Sequence, residues 1–202
     1  MCPKGNYKDM VWNQSFERNK VIEPGSLLIS EPFMADENFK KSIILICEHS
    51  KEDGTLGFVL NHATEFTLSD LIDDLKDCKM IVNFGGPCEL HSLHYIHTLG
   101  EMVPESTDLG NGLFWGGEFE AVINLINNGI GNDDNIKFYL GFSGWTYDQL
   151  IEEVHDSSWI IGKSRKEMLF EFDPQNLWHK VLEEMGTAYK ILSNYPENPS
   201  LN

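Results

Sequence analysis

This chain is short of basic residues, long apolar runs and paired cysteines, and each shortage removes a class of function. Its 202 residues include 15 lysines and arginines against 32 aspartates and glutamates, a net charge of −17. Nucleic-acid binding depends on cations that neutralise phosphates. The only stretch that gathers them is the start, where Lys4, Lys8, Arg18 and Lys20 are interleaved with Asp9, Glu17 and Glu23. Direct DNA binding and attachment to an anionic membrane surface are therefore disfavoured. The longest apolar run, Ile43 to Cys47, falls far short of the ~20 residues that cross a bilayer. The first residues lead into polar sequence rather than an apolar h-region, so no secretory signal is visible and a cytoplasmic location is expected. Cys2, Cys47, Cys78 and Cys88 lack Cys-x-x-Cys spacing, and free thiols are the default expectation.

What is present is an ordinary folding composition, 41% apolar with 23% charged, with no repeat, low-complexity tract or linker. One domain is expected over residues 21–192, with an extension at 1–20 and a tail at 193–202. Ser26-Leu27-Leu28-Ile29-Ser30 reads as a strand stopped by Pro32. Residues 42–49 read as a strand buried on both faces, because their apolar residues run continuously. Glu52-Asp53-Gly54 is hairpin chemistry, and 55–61 returns antiparallel. Thr67 caps a helix with Asp70 completing the box. Residues 80–84, 93–97 and 113–115 read as strands, and 118–128 as a helix stopped by Gly129. A strand at 136–140 runs into Gly141-Phe142-Ser143-Gly144-Trp145, after which Thr146 caps a helix whose Leu150 staples to Trp145. Residues 159–161 and 168–170 read as further strands, and Asp173-Pro174 opens a last helix that ends before Gly186. Strands outnumber helices and several are consecutive. The fold class expected is α+β, a single compact domain with a mixed, strongly curved, partly barrel-like sheet flanked by helices.

Several groupings invite a chemical reading. His91, His94 and His97 recur at threes, but on a strand His94 points away from the other two. No carboxylate or cysteine completes a ligand set, so no metal site is expected and the three read as sheet-surface histidines. Gly141 to Trp145 stands where a hydrolase nucleophile elbow would, between strand and helix, yet Trp145 occupies the position that G-x-S-x-G gives to glycine. Gly85-Gly86-Pro87 lacks the lysine and spacing of a phosphate loop and reads as a rigid turn. Cys47 and His49, two apart on a strand, share a face. Either the pairing activates the thiol, or Cys47, at the end of the most apolar run, is an inert core residue.

Read together, Glu48-His49, Gly57, Asn61, Gly85-Gly86-Pro87, Gly144-Trp145, Gln149-Leu150 and Trp159, preceded by Leu27-Leu28-Ile29, Pro32, Phe39 and Ser42, resemble in order the signature of the YqgE/AlgH family. These are small bacterial proteins with no settled activity, labelled transcriptional regulators on indirect grounds. The resemblance implies a single α+β domain with a compact sheet, no cofactor and no transferable catalytic residue. It also implies that Ser143, commonly alanine in the family's version of its motif, is not a nucleophile.

The expected function is a non-catalytic cytosolic binding or regulatory domain that acts through a protein or small-molecule partner. The alternative is a thiol-based redox protein or enzyme using Cys47 with His49. If a binding surface exists, it is expected where Cys47, His49, Asn61, Gly85, Gly86, Pro87, Gly144 and Trp145 converge, because sites on a rigid sheet gather at loop ends.

Overall fold

The run at 43–47 forms the first part of β2 (Ile43–Ser50), and its two faces feed two different cores. The computed structural model describes residues 21–194; the expected extension at 1–20 and most of the expected tail lie outside them. β1 (Ser26–Ser30) and β3 (Gly54–Val59) flank β2 antiparallel. Glu52-Asp53-Gly54 turns the hairpin as its chemistry predicts. Seven further strands follow: β4 (Ala63–Thr67), β5 (Ile81–Phe84), β6 (Cys88–His97), β7 (Thr107–Gly110), β8 (Leu113–Trp115), β9 (Ile136–Trp145) and β10 (Trp159–Lys163). The sheet runs β10-β1-β2-β3-β9-β6-β8-β7, with β4 and β5 as a side ribbon. β5 pairs parallel to β9, and the other pairings are antiparallel.

Every strand of that path sends residues to one core, from Ile160, Leu27, Leu45 and Phe58 through Tyr139 and Ile96 to Leu113 and Leu109. Side chains from strands so far apart can meet only on the concave side of a half-barrel. Leu177, Trp178, Val181 and Leu182 of the helix opened by Asp173 cover this core, and the Trp178 indole donates to the Ser30 carbonyl at 3.0 Å. A second core lies on the convex side, built from Ile44, Ile46, Val59, Trp145, Leu150 and Trp159. A third fills the space between the β5–β9–β6 segment and the helix after β8, around Val82, Tyr95, Val122 and Phe138. This is the α+β, single-domain architecture expected from the pattern of strands.

Six helices are present among the described residues: α1 (Leu68–Leu71), α2 (Phe119–Asn127), α3 (Tyr147–His155), α4 (Lys166–Phe170), α5 (Pro174–Glu184) and α6 (Thr187–Ser193). The caps at Thr146 and Asp173 form, their side chains accepting from the Gln149 and Gln175 amides. At Thr67 the Asp70 carboxylate accepts from the Thr67 amide at 2.8 Å. That helix nevertheless closes after one turn, because Ile72 is extended and a 3₁₀ turn at Asp73–Leu75 follows.

Three expectations need correction. Residues 168–170 are the end of helix α4, not a strand. A short apolar run carries no period of its own, and Lys166, Glu167, Met168 and Leu169 are all good helix formers. The helix opened by Asp173 is not the last, since α6 follows it across Gly186. Finally, Gly141 to Trp145 is not a strand-to-helix turn. β9 runs through the whole motif, and at Gly141 (φ +64°) it bends and exchanges neighbours. Before the bend it lies against β5, up to Phe84↔Leu140; beyond it, against β3, from Gly57↔Ser143 to Thr55↔Trp145. A Cβ at Gly141 would stand 2.5 Å from the Cys88 carbonyl oxygen, so the bend requires glycine.

Candidate functional site

Cys47 and His49 do not share a face. The β2–β3 register shifts between Ile46↔Gly57 and Glu48↔Leu56, leaving Cys47 as the extra residue of a bulge. A bulge breaks the alternation of period two on which the expectation rested. Cys47 points into the concave core beside Leu45 and Phe58. His49, opposite Thr55, lies on the convex side, where its Nδ1 meets the Thr55 hydroxyl at 2.7 Å and its ring stacks on Tyr147 at 5.1 Å. Burial, reinforced by the Glu48 charge, pushes the Cys47 thiol well above its usual value. Among the described residues neither the pairing nor an electropositive setting that would activate the thiol is present.

The other expected site residues separate in the same way. Asn61 sits at the far end of the β2–β3 hairpin from His49, accepting from the Ile43 amide and donating to the Lys41 carbonyl, both at 2.9 Å. Gly85 and Gly86 are buried where the chain crosses β9. A Cβ on Gly85 would meet the Gly141 oxygen at 2.2 Å, and one on Gly86 the Phe142 backbone at 2.3 Å. The Gly85 carbonyl accepts from the Val59 amide at 2.9 Å and from the Ser143 hydroxyl at 3.0 Å. Ser143 is fully buried, so its oxygen is a strand-to-strand tie, which alanine could replace at modest cost. Pro87 is exposed beside Cys88.

Trp145 belongs to a convex-side network. Its ring stacks on Phe39 at 5.6 Å and meets Trp159 edge-on at 5.9 Å. Both indole N–H groups donate to the same oxygen of Glu153, Trp145 at 3.0 Å and Trp159 at 2.7 Å. The Gln149 side-chain Nε2 donates to the other carboxylate oxygen at 2.8 Å.

The histidine triplet is likewise divided. His97 is fully buried rather than on the sheet surface. Its Nδ1 accepts from the Leu99 amide at 3.3 Å, and its Nε2 lies 3.1 Å from the Gly116 carbonyl. His94 is half-buried between Phe58 and Phe142, at 5.1 and 6.0 Å, and His91 is exposed. The described residues contain no group of three or more His, Cys, Asp or Glu that could hold a metal, and no helix long and apolar enough to cross a membrane.

The concave face leaves Leu56 and Phe142 partly covered, while more exposed apolar side chains such as Phe66, Leu71 and Ile81 lie elsewhere. On the concave side, register places Glu48, Leu56 and Gly144 in a row across β2, β3 and β9, with Phe142 and Cys88 as the adjoining pair on β9 and β6. Glu48 and Gly144 are exposed, and Leu56, Phe142 and Cys88 partly so. A Cβ on Gly144 would touch the Phe142 ring at 3.2 Å and approach the Cys88 sulfur to 3.7 Å. Its absence leaves ring and thiol open at the mouth of the half-barrel. Below them Phe58 is ringed by His94, Trp115 and Tyr139 within 6.0 Å. Of the eight expected residues, Gly144 lies in this mouth, Cys47 in the core on the same side and Pro87 beside it. His49 and Trp145 are on the opposite face. Leu56 and Phe142 are missed by the sequence reading, although each belongs to a strand already identified. Two clefts lie elsewhere. One, of about 660 Å³, is between residues 73–80 and 126–133; the other, of about 700 Å³, is where Gly25, Leu109 and Gly162 approach.

The AlgH-like family model matches residues 27–190. The chain belongs to that family. A UPF0301 protein of Chlorobium limicola is 35% identical over 181 residues, covering 90% of this chain and 96% of its own. One from Cytophaga hutchinsonii is 38% identical over 183 residues, covering 90% and 100%. Among solved structures, that of AlgH from Pseudomonas aeruginosa is similar with a TM-score of 0.67 at 26% identity, covering 89% of this chain and 99% of that one. A Corynebacterium diphtheriae protein shares the fold with a TM-score of 0.74 at 22% identity, covering 89% and 95%. Most residues that carry the family resemblance have structural work here. Phe39, Trp145, Gln149 and Trp159 build the Glu153 network, Asn61 clasps β2, and Gly57, Gly85 and Gly86 admit neighbouring backbone.

Proposed function

We propose that this AlgH-like protein is a non-catalytic binding domain of the cytoplasm, acting through a protein or small-molecule partner at the concave mouth around Leu56, Phe142 and Gly144. The observation that carries this reading is the row Glu48–Leu56–Gly144 with its neighbours Phe142 and Cys88, where apolar side chains stay partly uncovered on a rigid sheet. A partly uncovered apolar pair beside a glycine that leaves room is where a partner side chain could seat, and contiguous apolar surface is what interaction sites use. The side chains with chemical potential are meanwhile engaged elsewhere: Ser143 ties Gly85, His97 ties Gly116, and the Tyr95 hydroxyl donates to the Gly117 carbonyl at 2.6 Å. The charge of −17 favours a partner other than nucleic acid.

The test is capture of proteins and small molecules from a bacterial lysate on the tagged full chain, beside Phe142→Asp and the remote control Asp77→Asn. Circular dichroism would establish that both variants fold. A partner retained by the parent and the control but lost from Phe142→Asp supports the reading. Identical captures by all three would overturn it.

A further inference from the structure

β6 bulges beside the mouth. Between Cys88↔Phe142 and Leu93↔Leu140 its residues 89–92 stand opposite Gly141 alone. Glu89 enters the bulge in the left-handed region (φ +45°), a strained conformation that persists only where its surroundings hold it. Two hydrogen bonds do so. The Ser92 hydroxyl donates to the Glu89 carbonyl at 2.8 Å, and the His94 Nε2 lies 2.9 Å from the same hydroxyl oxygen. A hydroxyl has one proton to give. Ser92 gives its proton to Glu89, so the proton between Ser92 and His94 sits on Nε2, and the neutral ring is the Nε2–H tautomer. Nδ1 is then bare and has no hydrogen-bond partner among the described residues.

The ring also touches the mouth. It packs between Phe58 and Phe142, at 5.1 and 6.0 Å. Leu90, within the bulge, reaches to 3.3 Å from where a Cβ on Gly141 would stand. The bulge therefore leans on the bend of β9 next to Phe142, and its position sets how far Phe142 and the paired Cys88 are covered.

We propose that Ser92 and His94 form a proton-operated latch on the mouth: the neutral ring holds the bulge against β9, and a proton added at Nδ1 turns the ring out, releases the bulge and uncovers Phe142 and Cys88. The inference rests on the reading of this face as the binding site and adds its regulation. The imidazolium brings a second N–H and a full charge into the space between two phenyl rings, where Nδ1 has no acceptor. Burial accordingly pulls the His94 pKa below its usual value, against the smaller and opposite pull of the Glu89 carboxylate. The charged ring gains by moving to solvent, and the release lies on the acid side of the usual histidine value. The other titratable groups around the ring are Cys88 at the foot of the bulge, the exposed His91 within it, and Tyr139 opposite on β9. Burial keeps the Tyr139 hydroxyl, and the Cys47 thiol that acts on it, protonated.

The reporter is the thiol at the mouth. Dithiodipyridine, which labels thiols in weak acid as well as at neutrality, is applied to the full chain in brief pulses from about pH 7.5 to about pH 5, across the histidine range. Peptide mass spectrometry gives the labelling of Cys88 relative to Cys78, a partly exposed thiol outside the mouth, so the common effect of pH on thiol reactivity divides out. The ratio is expected to rise by about threefold or more as the pH falls, with a midpoint that matches the His94 ring resonances in NMR. His94→Gln keeps an N–H for Ser92 and cannot titrate, so it should hold the ratio at its neutral value throughout. Ser92→Ala removes the link and should bring the ratio at neutral pH to the value the parent reaches in acid. His91→Gln should behave as the parent. Circular dichroism across the range establishes that each protein stays folded. A flat ratio in the parent, a rise that survives in His94→Gln, or a Ser92→Ala protein indistinguishable from the parent at neutral pH would each overturn the latch. If lysate capture still depends on Phe142 while the latch fails, the site stands and its regulation falls. A working latch in a protein whose capture ignores Phe142 would keep the latch and remove the site.

Discussion

Trp145 and Trp159 donate their indole N–H groups to one and the same oxygen of Glu153, at 3.0 and 2.7 Å, with their rings perpendicular at 89°. One carboxylate on α3 thereby fixes the last residue of β9 and the first of β10. These strands are remote in the sheet order, so the network holds the convex side of the half-barrel together.

Truncating Trp145 to alanine removes a ring that is 6% exposed together with its bond to Glu153. The expected loss is about 3–5 kcal/mol, the usual cost of deleting a buried aromatic, read as a fall in the urea midpoint. An unchanged midpoint would mean that the ring contributes nothing to the fold and would return Trp145 to the list of ligand contacts.

Glu153→Ala leaves both indole donors without their acceptor. A loss of about 2–4 kcal/mol is expected, since orphaned buried donors cost about 1–3 kcal/mol each and these are partly buried. A double-mutant cycle separates the bond from the packing. In a Trp145→Phe background the loss should shrink by about 1 kcal/mol or more, and strict additivity would contradict the shared-acceptor geometry.

His97 gives the acid limb of stability. Its Nδ1 accepts from the Leu99 amide, so protonation there breaks a buried bond, and burial lowers its pKa below the usual value. A folded pKa below the unfolded one means that the unfolded chain takes up the proton first as pH falls. Stability is therefore full above about 6.5, the unfolded value, and is lost as pH drops below it. His49, His62, His94 and His179 shift in the same direction. Urea midpoints from pH 7.5 down to 5 (roughly the histidine range) should fall, and His97→Gln should flatten part of that fall. A slope unchanged by His97→Gln would show that the other histidines carry it.

Cys47 gives the alkaline limb, with the opposite sign. Its folded pKa is raised by burial, so the unfolded thiol ionises first. The contribution is present below about 8.5 and lost as pH rises above it. In the native protein Cys47 should resist Ellman's reagent until unfolding, while the partly exposed Cys78 and Cys88 react early. Early labelling of Cys47, located by peptide mass spectrometry, would reopen the thiol chemistry that the bulge argues against.

The elements legible in the sequence were those whose signal is local: the continuous apolar run of β2, the Asp53-Gly54 turn, and the caps at Thr146 and Asp173. What escaped was set by pairing at a distance. Nothing in Ile46-Cys47-Glu48 announces a bulge, because the extra residue is defined only against Leu56 and Gly57 on β3. That one displacement sent Cys47 and His49 to opposite faces. The glycines were recognised as close-approach residues, but whether they line a site or a strand crossing depends on what approaches them. For Gly85 it is the Gly141 carbonyl. The mouth itself was legible only at Gly144, since Leu56 and Phe142 look like any core residue until the curvature of the sheet shows which of them the helices leave uncovered.

The two glycines of one motif should behave oppositely. Gly141 has φ +64°, and a Cβ there would lie 2.5 Å from the Cys88 oxygen and 2.7 Å from the Gly86 oxygen. Both atoms are backbone and cannot step aside, so the bend that moves β9 from β5 to β3 is lost with the glycine. Gly141→Ala should cost about 2 kcal/mol or more, from left-handed strain and overpacking together. Gly144 has no positive φ, and its nearest obstacle is the partly exposed Phe142 ring at 3.2 Å, a side chain able to give by a few tenths of an ångström. Gly144→Ala should change stability by less than about 1 kcal/mol while narrowing the gap above Phe142, so its effect should fall on binding at the mouth. Paired urea titrations of the two variants decide the matter. If Gly144→Ala destabilises as much as Gly141→Ala, the openness at 144 is a demand of the fold and not a feature of the site.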